Sequence, residues 1–359
     1  MGALVIDELR RAYEGRRVFV TGDTGFKGSW LCIALKELGA DVTGYALPPA
    51  GERDQFRAAH LDRLVRHHNG DVRDTDHLTR VFSGSAPEVV FHLAAQPLVR
   101  VSYDDPKTTF DTNIGGTINI LEMVRCSPQV RALVVITSDK CYRNNEWIWG
   151  YRENDALGGD DPYSASKAAA ELVFTAYAAS FFQNQRLGAA TVRAGNVIGG
   201  GDWSPARIVP DCIRALETGE PVVLRNPEST RPWQHVLEPV CGYLLLGARL
   251  LQDPRRHSGS WNFGPRPERA RTVRELAEKI IESWGYGSVK VANNPEAPYE
   301  AGLLQLNCDK ARIELGWEAR WDFSTAARET GLWYRRFVAG ESPLELSREQ
   351  IHRYFELPR

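Results

Sequence analysis

The chain has no closely spaced cysteines, no long apolar run and almost no net charge, and each absence removes a class of function. The six cysteines, at 32, 126, 141, 212, 241 and 308, form no CxxC and no other metal-type spacing. They read as reduced thiols rather than as a zinc site or a disulfide framework. The most apolar stretch, Tyr243 to Leu251, is interrupted by Gly247 and Arg249 and is too short to span a bilayer. Met1 to Arg17 holds no apolar core of leader length and carries Asp7, Glu8 and Arg10, so a cytoplasmic protein is expected. A formal net charge of -2 gives no electrostatic case for nucleic acid or an anionic membrane. The basic pairs Arg10-Arg11, Arg16-Arg17 and Arg255-Arg256 are scattered and read as solvated faces. His67 and His68 are adjacent, so on a regular element they point in different directions, and no metal site is expected.

What is present is the balance of an ordinary globular protein: 359 residues, 43% apolar and 25% charged, enough for one large or two joined domains. Short β-prone runs alternate with helical patterns through the first half. Strands are expected at Arg17 to Thr21, Asp41 to Tyr45, Glu88 to Leu93, Ala132 to Ile136 and Ala189 to Arg193, with helices at Gly28 to Leu38 and Thr112 to Val124. This rhythm predicts an α/β fold, a doubly wound parallel sheet whose ligands bind beyond the carboxyl ends of the strands. After Asn196 the texture changes to glycine- and proline-punctuated segments, with helices expected at Leu276 to Trp284 and Ser324 to Phe337 in a smaller C-terminal lobe.

Two stretches carry chemistry. The first strand runs into "TGDTGFKG", with Gly22, Gly25 and Gly28 before a helix. Glycines there permit a tight turn and let backbone amides approach a pyrophosphate at the positive helix end. The second is "PYSASK", where Tyr163 and Lys167 stand four apart on a helix that Asp161 caps and Pro162 opens. Positions i and i+4 share a helix face, so an ammonium sits near a phenol. A phenol acting as a base near neutrality needs its pKa lowered by about three units, roughly 4 kcal/mol. The lysine and an oxidised nicotinamide are expected to supply that together.

These motifs, with "GDVRD" (Gly70 to Asp74), "FHLAAQ" (Phe91 to Gln96) and the strand-end hydroxyl of Ser138, resemble the extended short-chain dehydrogenase/reductase family. The resemblance implies a Rossmann-type fold with a smaller C-terminal α/β substrate-binding lobe. It also implies a dinucleotide-binding part over residues 1–195, to which the chain returns near 233–262, and a substrate-binding part over 196–359. It places Thr24, Phe26 and Lys27 with the three glycines at the cofactor, Asp71 and Val72 beside adenine, and Leu93, Ala94 and Ala95 along the cofactor. Ser138, Tyr163 and Lys167 form its alcohol-oxidising trio, and His92 reads as core. NAD-preferring sites usually carry an acid at the end of the second strand. Here that region reads "GYALPP", Gly44 to Pro49, with no acid before Glu52. Arg53 or Arg57 could meet a 2′-phosphate instead, so the residues leave NAD and NADP both open, while the family leans to NAD.

"VITSDKCY" (Val135 to Tyr142) adds Asp139 and Lys140, which alcohol oxidation alone does not need. In the nucleotide-sugar 4,6-dehydratases this place holds an acid for the departing C6 hydroxyl and a second proton-transfer group for C5. The Asp-Lys pair and the continuation from Cys141 to Lys167 resemble the cytidine-diphosphate branch of that family. The resemblance runs from about Arg16 to Trp333. It implies C4 oxidation, loss of water across C5 and C6, and hydride return, with Asp139 as acid and Lys140 as C5 base. The product class feeds dideoxysugar synthesis for surface polysaccharide. Lys140 is expected to be partly buried, with its pKa lowered, and Asp139 to be protonated. Gln96, Asn196, Arg207 and Arg231 are implied at the substrate, the two arginines on its phosphates. Trp147, Trp149 and Trp203 either pack as core or flank the substrate. The implied partner is a small nucleotide sugar, and a homo-oligomer is expected. A 4-epimerase, which needs the trio but not Asp-Lys, and a cofactor-sensing regulator are the rival readings.

Overall fold

The computed structural model describes residues 2–183, 186–266, 271–292 and 304–356. Its centre is a seven-stranded parallel sheet. In chain order the strands are β1 (Arg17–Thr21), β2 (Asp41–Ala46), β3 (Arg66–Asn69), β4 (Val89–His92), β5 (Ala132–Ile136), β6 (Gly188–Ala194) and β7 (Gly259–Phe263). Across the sheet they run β7-β6-β5-β4-β1-β2-β3, so the order reverses between β1 and β4. Such a reversal opens the crevice where α/β sheets take ligands.

Five of these strands are buried along their whole length or nearly so, as "ALVVI" of β5 shows, because helices cover both faces. One face packs on helices Phe26–Glu37 and Leu237–Gln252, the other on Thr75–Ser85, Gly116–Arg125 and Pro162–Tyr177. Helix Leu237–Gln252 is apolar nearly all round because it lies between the sheet and helix Gly2–Tyr13. β3 reads "RHHN", without apolar alternation, since it is the edge strand. After Asn196 the chain forms two-stranded pairs, Val222–Leu224 with Val289–Val291 and Thr230–Arg231 with Arg271–Thr272. Helices Ile208–Thr218, Val273–Trp284 and Phe323–Val338 pack beside them, the second opened by a Thr272/Glu275 capping box.

One polar cluster ties the sheet to the helix that starts at Pro162. Glu171 is fully buried and takes two hydrogen bonds from Arg193 of β6, at 2.9 and 2.8 Å. It also accepts the hydroxyls of Thr137, at the end of β5, and of Thr191. Arg193 reaches on to the Tyr142 hydroxyl at 2.6 Å and the Glu153 carbonyl at 3.0 Å. Burial alone would raise the Glu171 carboxyl; Arg193 and the two hydroxyls outweigh it and hold the group below its ordinary value. Glu171→Ala should therefore cost about 3–5 kcal/mol in urea unfolding, because it leaves the Arg193 charge buried and unpaired. The double change Glu171→Leu with Arg193→Met should cost clearly less than Glu171→Ala.

Candidate active site

All the strand ends that matter face one mouth. β1 runs into the glycine turn, where Gly22 takes a left-handed φ of 75°. A Cβ on Gly22 would stand 2.7 Å from the amide nitrogen of Ala94, and one on Gly28 would stand 2.0 Å from the Gly22 carbonyl oxygen. Those contacts explain both glycines: the turn packs tightly on the strand-end Leu93–Ala94 segment and on the following helix. Gly25 is the N-cap of that twelve-residue helix and no side chain caps it. Its first-turn amides are thus left to a ligand, the arrangement a pyrophosphate requires. Thr24 fastens the turn to β2 through the Leu47 carbonyl at 2.9 Å. Asp23, fully buried, bonds His67 of β3 at 2.7 Å, and a Cβ at Gly44 would collide with its carboxylate at 2.0 Å. His67 gives its other ring nitrogen to Asn69, at 2.9 Å.

The segments expected at adenine and nicotinamide lie at neighbouring strand ends. The Asp71 carbonyl accepts the Tyr45 hydroxyl at 3.0 Å, and its carboxylate is chelated by Arg73, which holds it below its ordinary range. Val72 is buried against Gly116. Leu93, Ala94 and Ala95 are half-buried along the mouth, and Phe26 packs against Gly199. His92 is core, bonded to the hydroxyls of Thr21 at 2.7 Å and Thr117 at 3.2 Å. Arg53 forks onto Glu217 at 2.9 and 2.6 Å and lies 3.7 Å over the Trp203 ring, while Arg57 pairs with Glu52. Both guanidiniums are thus paired within the protein.

Beyond β5 the polar run resolves into separate tasks. Thr137 belongs to the Glu171 cluster. Ser138 is extended, donates to Asp139 Oδ1 at 3.0 Å and accepts the Lys140 amide at 3.2 Å. Its hydroxyl also acts on the Tyr163 phenol, opposing the effect of burial. Asp139 is buried, and a Cβ at Gly195 would come within 2.9 Å of its Oδ2, so the glycine after β6 makes room for the carboxyl. Burial pushes Asp139 up, against Lys140, Ser138 and Lys27, in favour of the neutral acid. Lys140 does not follow the expectation of partial burial: it is exposed. The cause is the 3₁₀ turn Asp139–Cys141, which turns Asp139 and Cys141 inward and the residue between them out.

Helix Pro162–Tyr177 delivers the phenol and the ammonium. Asp161 caps it through the Ser164 amide at 2.9 Å, and the Tyr163 amide donates to Ser102 Oγ at 3.2 Å. Tyr163 and Lys167 are both buried. The protein's own groups alone do not lower the phenol. Burial pushes it up to about 12, with Ser138 opposing. Lys167 Nζ lies 3.5 Å from the Ile136 carbonyl, and burial with the Lys27 charge lowers it to about 8. Lys27, the second residue of helix Phe26–Glu37, is expected from the sequence only at the cofactor. It is lowered to about 8 by burial and by Arg207, with Asp139 and Asp202 acting the other way, so it belongs to the same electrostatic cluster.

The four residues expected at the substrate stand differently. Arg207 precedes helix Ile208–Thr218 and pairs with Asp202 at 2.8 Å, and its charge reaches Tyr163. Arg231 bonds the Thr230 carbonyl at 2.7 Å; the next residue, Pro232, lies beside Gly195. Asn196 is half-buried after β6, and its carbonyl accepts the Gln234 amide at 3.0 Å. Gln96 is committed within the protein: its amide nitrogen reaches Thr109 at 2.8 Å and its oxygen takes the Leu98 amide at 2.6 Å. Trp203 packs against Tyr334, Trp147 stacks on Tyr151, and Trp149 is exposed. The sequence reading missed Asn113, whose side chain takes the Gln96 amide at 2.8 Å and donates to Ser166 Oγ at 2.8 Å. It thereby joins the β4 loop to the catalytic helix. It sits in the π turn Asp111–Gly115, which no periodicity marks.

Comparison with known proteins agrees with this geometry. Residues 19–330 match the family described as GDP-mannose 4,6 dehydratase. The chain is 46% identical over 347 residues to a CDP-glucose 4,6-dehydratase of Salmonella typhimurium, covering 95% of this chain and 97% of that protein. A dTDP-glucose 4,6-dehydratase of Streptomyces venezuelae, solved with NAD and TYD bound, superposes with a TM-score of 0.77 at 26% identity, over 91% of this chain and 99% of that one. A UDP-glucose 4-epimerase of Thermotoga maritima, solved with UDP-glucose, gives 0.78 at 25%, over 89% and 99%. The chain therefore belongs to the nucleotide-sugar 4,6-dehydratase family described by that GDP-mannose dehydratase match, on the Rossmann-type short-chain dehydrogenase/reductase fold.

Proposed function

We propose that this chain converts CDP-glucose to CDP-4-keto-6-deoxyglucose and water, with NAD as a resident cofactor that ends each turnover unchanged. The observation that carries the reading is the buried Asp139, bonded to Ser138: a carboxyl that burial pushes toward its neutral form at the alcohol-oxidising trio, which a 4-epimerase does not need. The relationship to the Salmonella enzyme supports cytidine as the base. No helix among the described residues is long and apolar enough to cross a membrane.

The glycine turn and the uncapped helix start would hold the dinucleotide, and the chemistry it supplies is hydride transfer from C4 and back to C6. Ser138 holds the C4 oxygen and Tyr163 takes its proton. A phenol raised to about 12 by its own surroundings needs positive charge brought beside it for that task. The C4 ketone acidifies C5–H, and Asp139 gives its proton to the departing C6 oxygen, forming water. Arg207 and Arg231 take the diphosphate, where paired guanidiniums suit phosphate oxygens. Lys140 is assigned the C5 proton. A second reading is Lys27, favoured because burial brings it to about 8 and its charge acts on Asp139.

Incubation of the chain with CDP-glucose and NAD should give a product lighter by one water in mass spectrometry, and unchanged substrate or an epimer would refute the assignment. Tyr163→Phe should keep the fold and NAD binding while turnover falls by about 10²–10⁴. Lys140→Met should still show transient absorbance of reduced cofactor but no exchange of the C5 hydrogen with solvent. Normal exchange in Lys140→Met and its loss in Lys27→Met would move the base to Lys27. Gly195→Ala should push the Asp139 carboxyl out of place and slow elimination by roughly 10–10²-fold. Oxidation at C4 should then outlast it, read as accumulation of reduced cofactor on the enzyme.

A further inference from the structure

The sheet has a second recess, far from the catalytic mouth. Arg17, Asp41 and Arg66 are the first residues of β1, β2 and β3, so they lie at the amino edge of the sheet, opposite the strand ends that hold the site. Between that edge and helix Thr75–Ser85 runs a groove of about 820 Å³, lined by Arg17, Arg66, Arg80, His68 and His77 with Asp41 as its carboxylate. It exists because the β2-to-β3 connection is only helix Gln55–Ala58 and a 3₁₀ turn, Leu61–Arg63. Phe56 and Leu61 of that connection pack into the core on the other face. The volume falls in the range of small-molecule sites, about 300–1,000 Å³.

The cations in this groove are available. Arg80 and the His68 ring have no hydrogen-bond or ion-pair partner among the described residues. Arg66 pairs with Asp41 at 2.7 Å, but the two side chains are 60% and 43% exposed. Arg17 pairs with Glu88 at 3.3 Å and is 46% exposed. Exposed pairs contribute about 0–1 kcal/mol, so an incoming multivalent anion competes for these guanidiniums at little cost. Guanidiniums and imidazoles spaced along a cleft suit a chain of phosphates. The upper end of the groove touches the cofactor side through one residue. His77 packs edge-on against the Tyr45 ring at 5.4 Å, and Arg80 acts on the Tyr45 phenol. The same phenol donates to the Asp71 carbonyl at 3.0 Å, and a Cβ on Gly70 would strike the Tyr45 ring at 2.3 Å. Tyr45, buried behind the groove, thus stands between His77 of its lining and the Asp71 loop.

We infer that the groove between β3 and helix Thr75–Ser85 is a second anion site, taking a polyphosphate-bearing small molecule and altering dinucleotide affinity through Tyr45. The polyphosphate chain is the shared chemistry; it belongs equally to a nucleoside triphosphate and to inorganic polyphosphate. Binding there places negative charge on Arg80 and His77, and the displacement of either moves the ring on which the Asp71 loop rests.

The test is calorimetric titration of the full chain, saturated with NAD and CDP so that the catalytic mouth is filled, with inorganic tripolyphosphate and separately with ATP. About one equivalent per chain should bind, and Arg80→Ala and Arg66→Ala should each weaken it by roughly tenfold, the effect of one charge-assisted contact. Both variants should turn over CDP-glucose at the unaltered rate without the probe, and Arg80→Gln serves if Arg80→Ala fails to fold. Equal affinity for the two probes identifies the phosphate chain alone as the ligand, and tighter ATP adds the nucleoside; either result supports the site. Absence of saturable binding, or binding unchanged in both arginine variants, overturns it. In a cofactor-free preparation, tripolyphosphate should shift the NAD dissociation constant by about threefold or more in the unaltered chain and not in Arg80→Ala. A constant that does not move overturns the coupling through Tyr45.

Discussion

Glu171 and Arg193 meet in the interior, where either charge alone would cost several kcal/mol, and the catalytic mouth takes its shape from that meeting. Glu171 lies one turn beyond Lys167 on the helix that carries Tyr163, while Arg193 is one residue from the end of β6. Thr137, bonded to the same carboxylate, immediately precedes Ser138. The pair therefore fixes three things relative to one another: the helix with phenol and ammonium, the strand end with serine and acid, and the strand that leads to Gly195 and Asn196. Each is a separate segment of sequence, and a shift of about 1 Å between them is enough to lose much of a positioned reaction. A buried ion pair is a poor source of stability, but its geometry is demanding, and geometry is what this site requires.

Above that anchor, burial acts on the ionisable groups in opposite directions. It raises Asp139 and the Tyr163 phenol and lowers Lys167 and Lys27. All four move toward their neutral forms, as desolvation dictates. A neutral acid is what departure of the C6 oxygen needs. A neutral phenol is the wrong form for a base, so that role depends on positive charge beyond what burial leaves it. Groups whose environments set acid and base roles apart are a mark of sites that pass protons in sequence.

Much of this was legible because it is local. A glycine turn between strand and helix, an i, i+4 tyrosine and lysine behind a capping aspartate, and a polar run at a strand end are each written in consecutive residues. The parallel sheet followed from apolar runs at regular intervals. The rest was not local. Asn113 joins two loops only after the β4 and Pro162 segments have come together, and its own turn has no pattern. Glu171 looks like an ordinary helical glutamate until β6 supplies its arginine. Edge strand β3 is polar because only one neighbour buries it. Gly195 reads as punctuation, yet its missing side chain is the space Asp139 occupies. The surroundings of Lys140 and Arg53 were not legible for a related reason: a 3₁₀ turn leaves one exposed, and Glu217 with Trp203 engages the other.

The same distinction separates a dehydratase from an epimerase on a shared fold. Both need a ketone at C4, and in the mechanism proposed above the trio on the Pro162 helix and the β5 end provides it in either case. Only the dehydratase must then expel a poor leaving group from C6, which requires an acid that stays protonated beside a lysine and close to water. A carboxyl on a solvated loop would ionise. Asp139 avoids that by lying under Gly195 and Pro232, 6% exposed, with one oxygen on Ser138. In the mechanism proposed above, elimination depends on the glycine that lets Asp139 be buried as much as on the aspartate itself, and a larger residue at 195 would displace that carboxyl from its buried place.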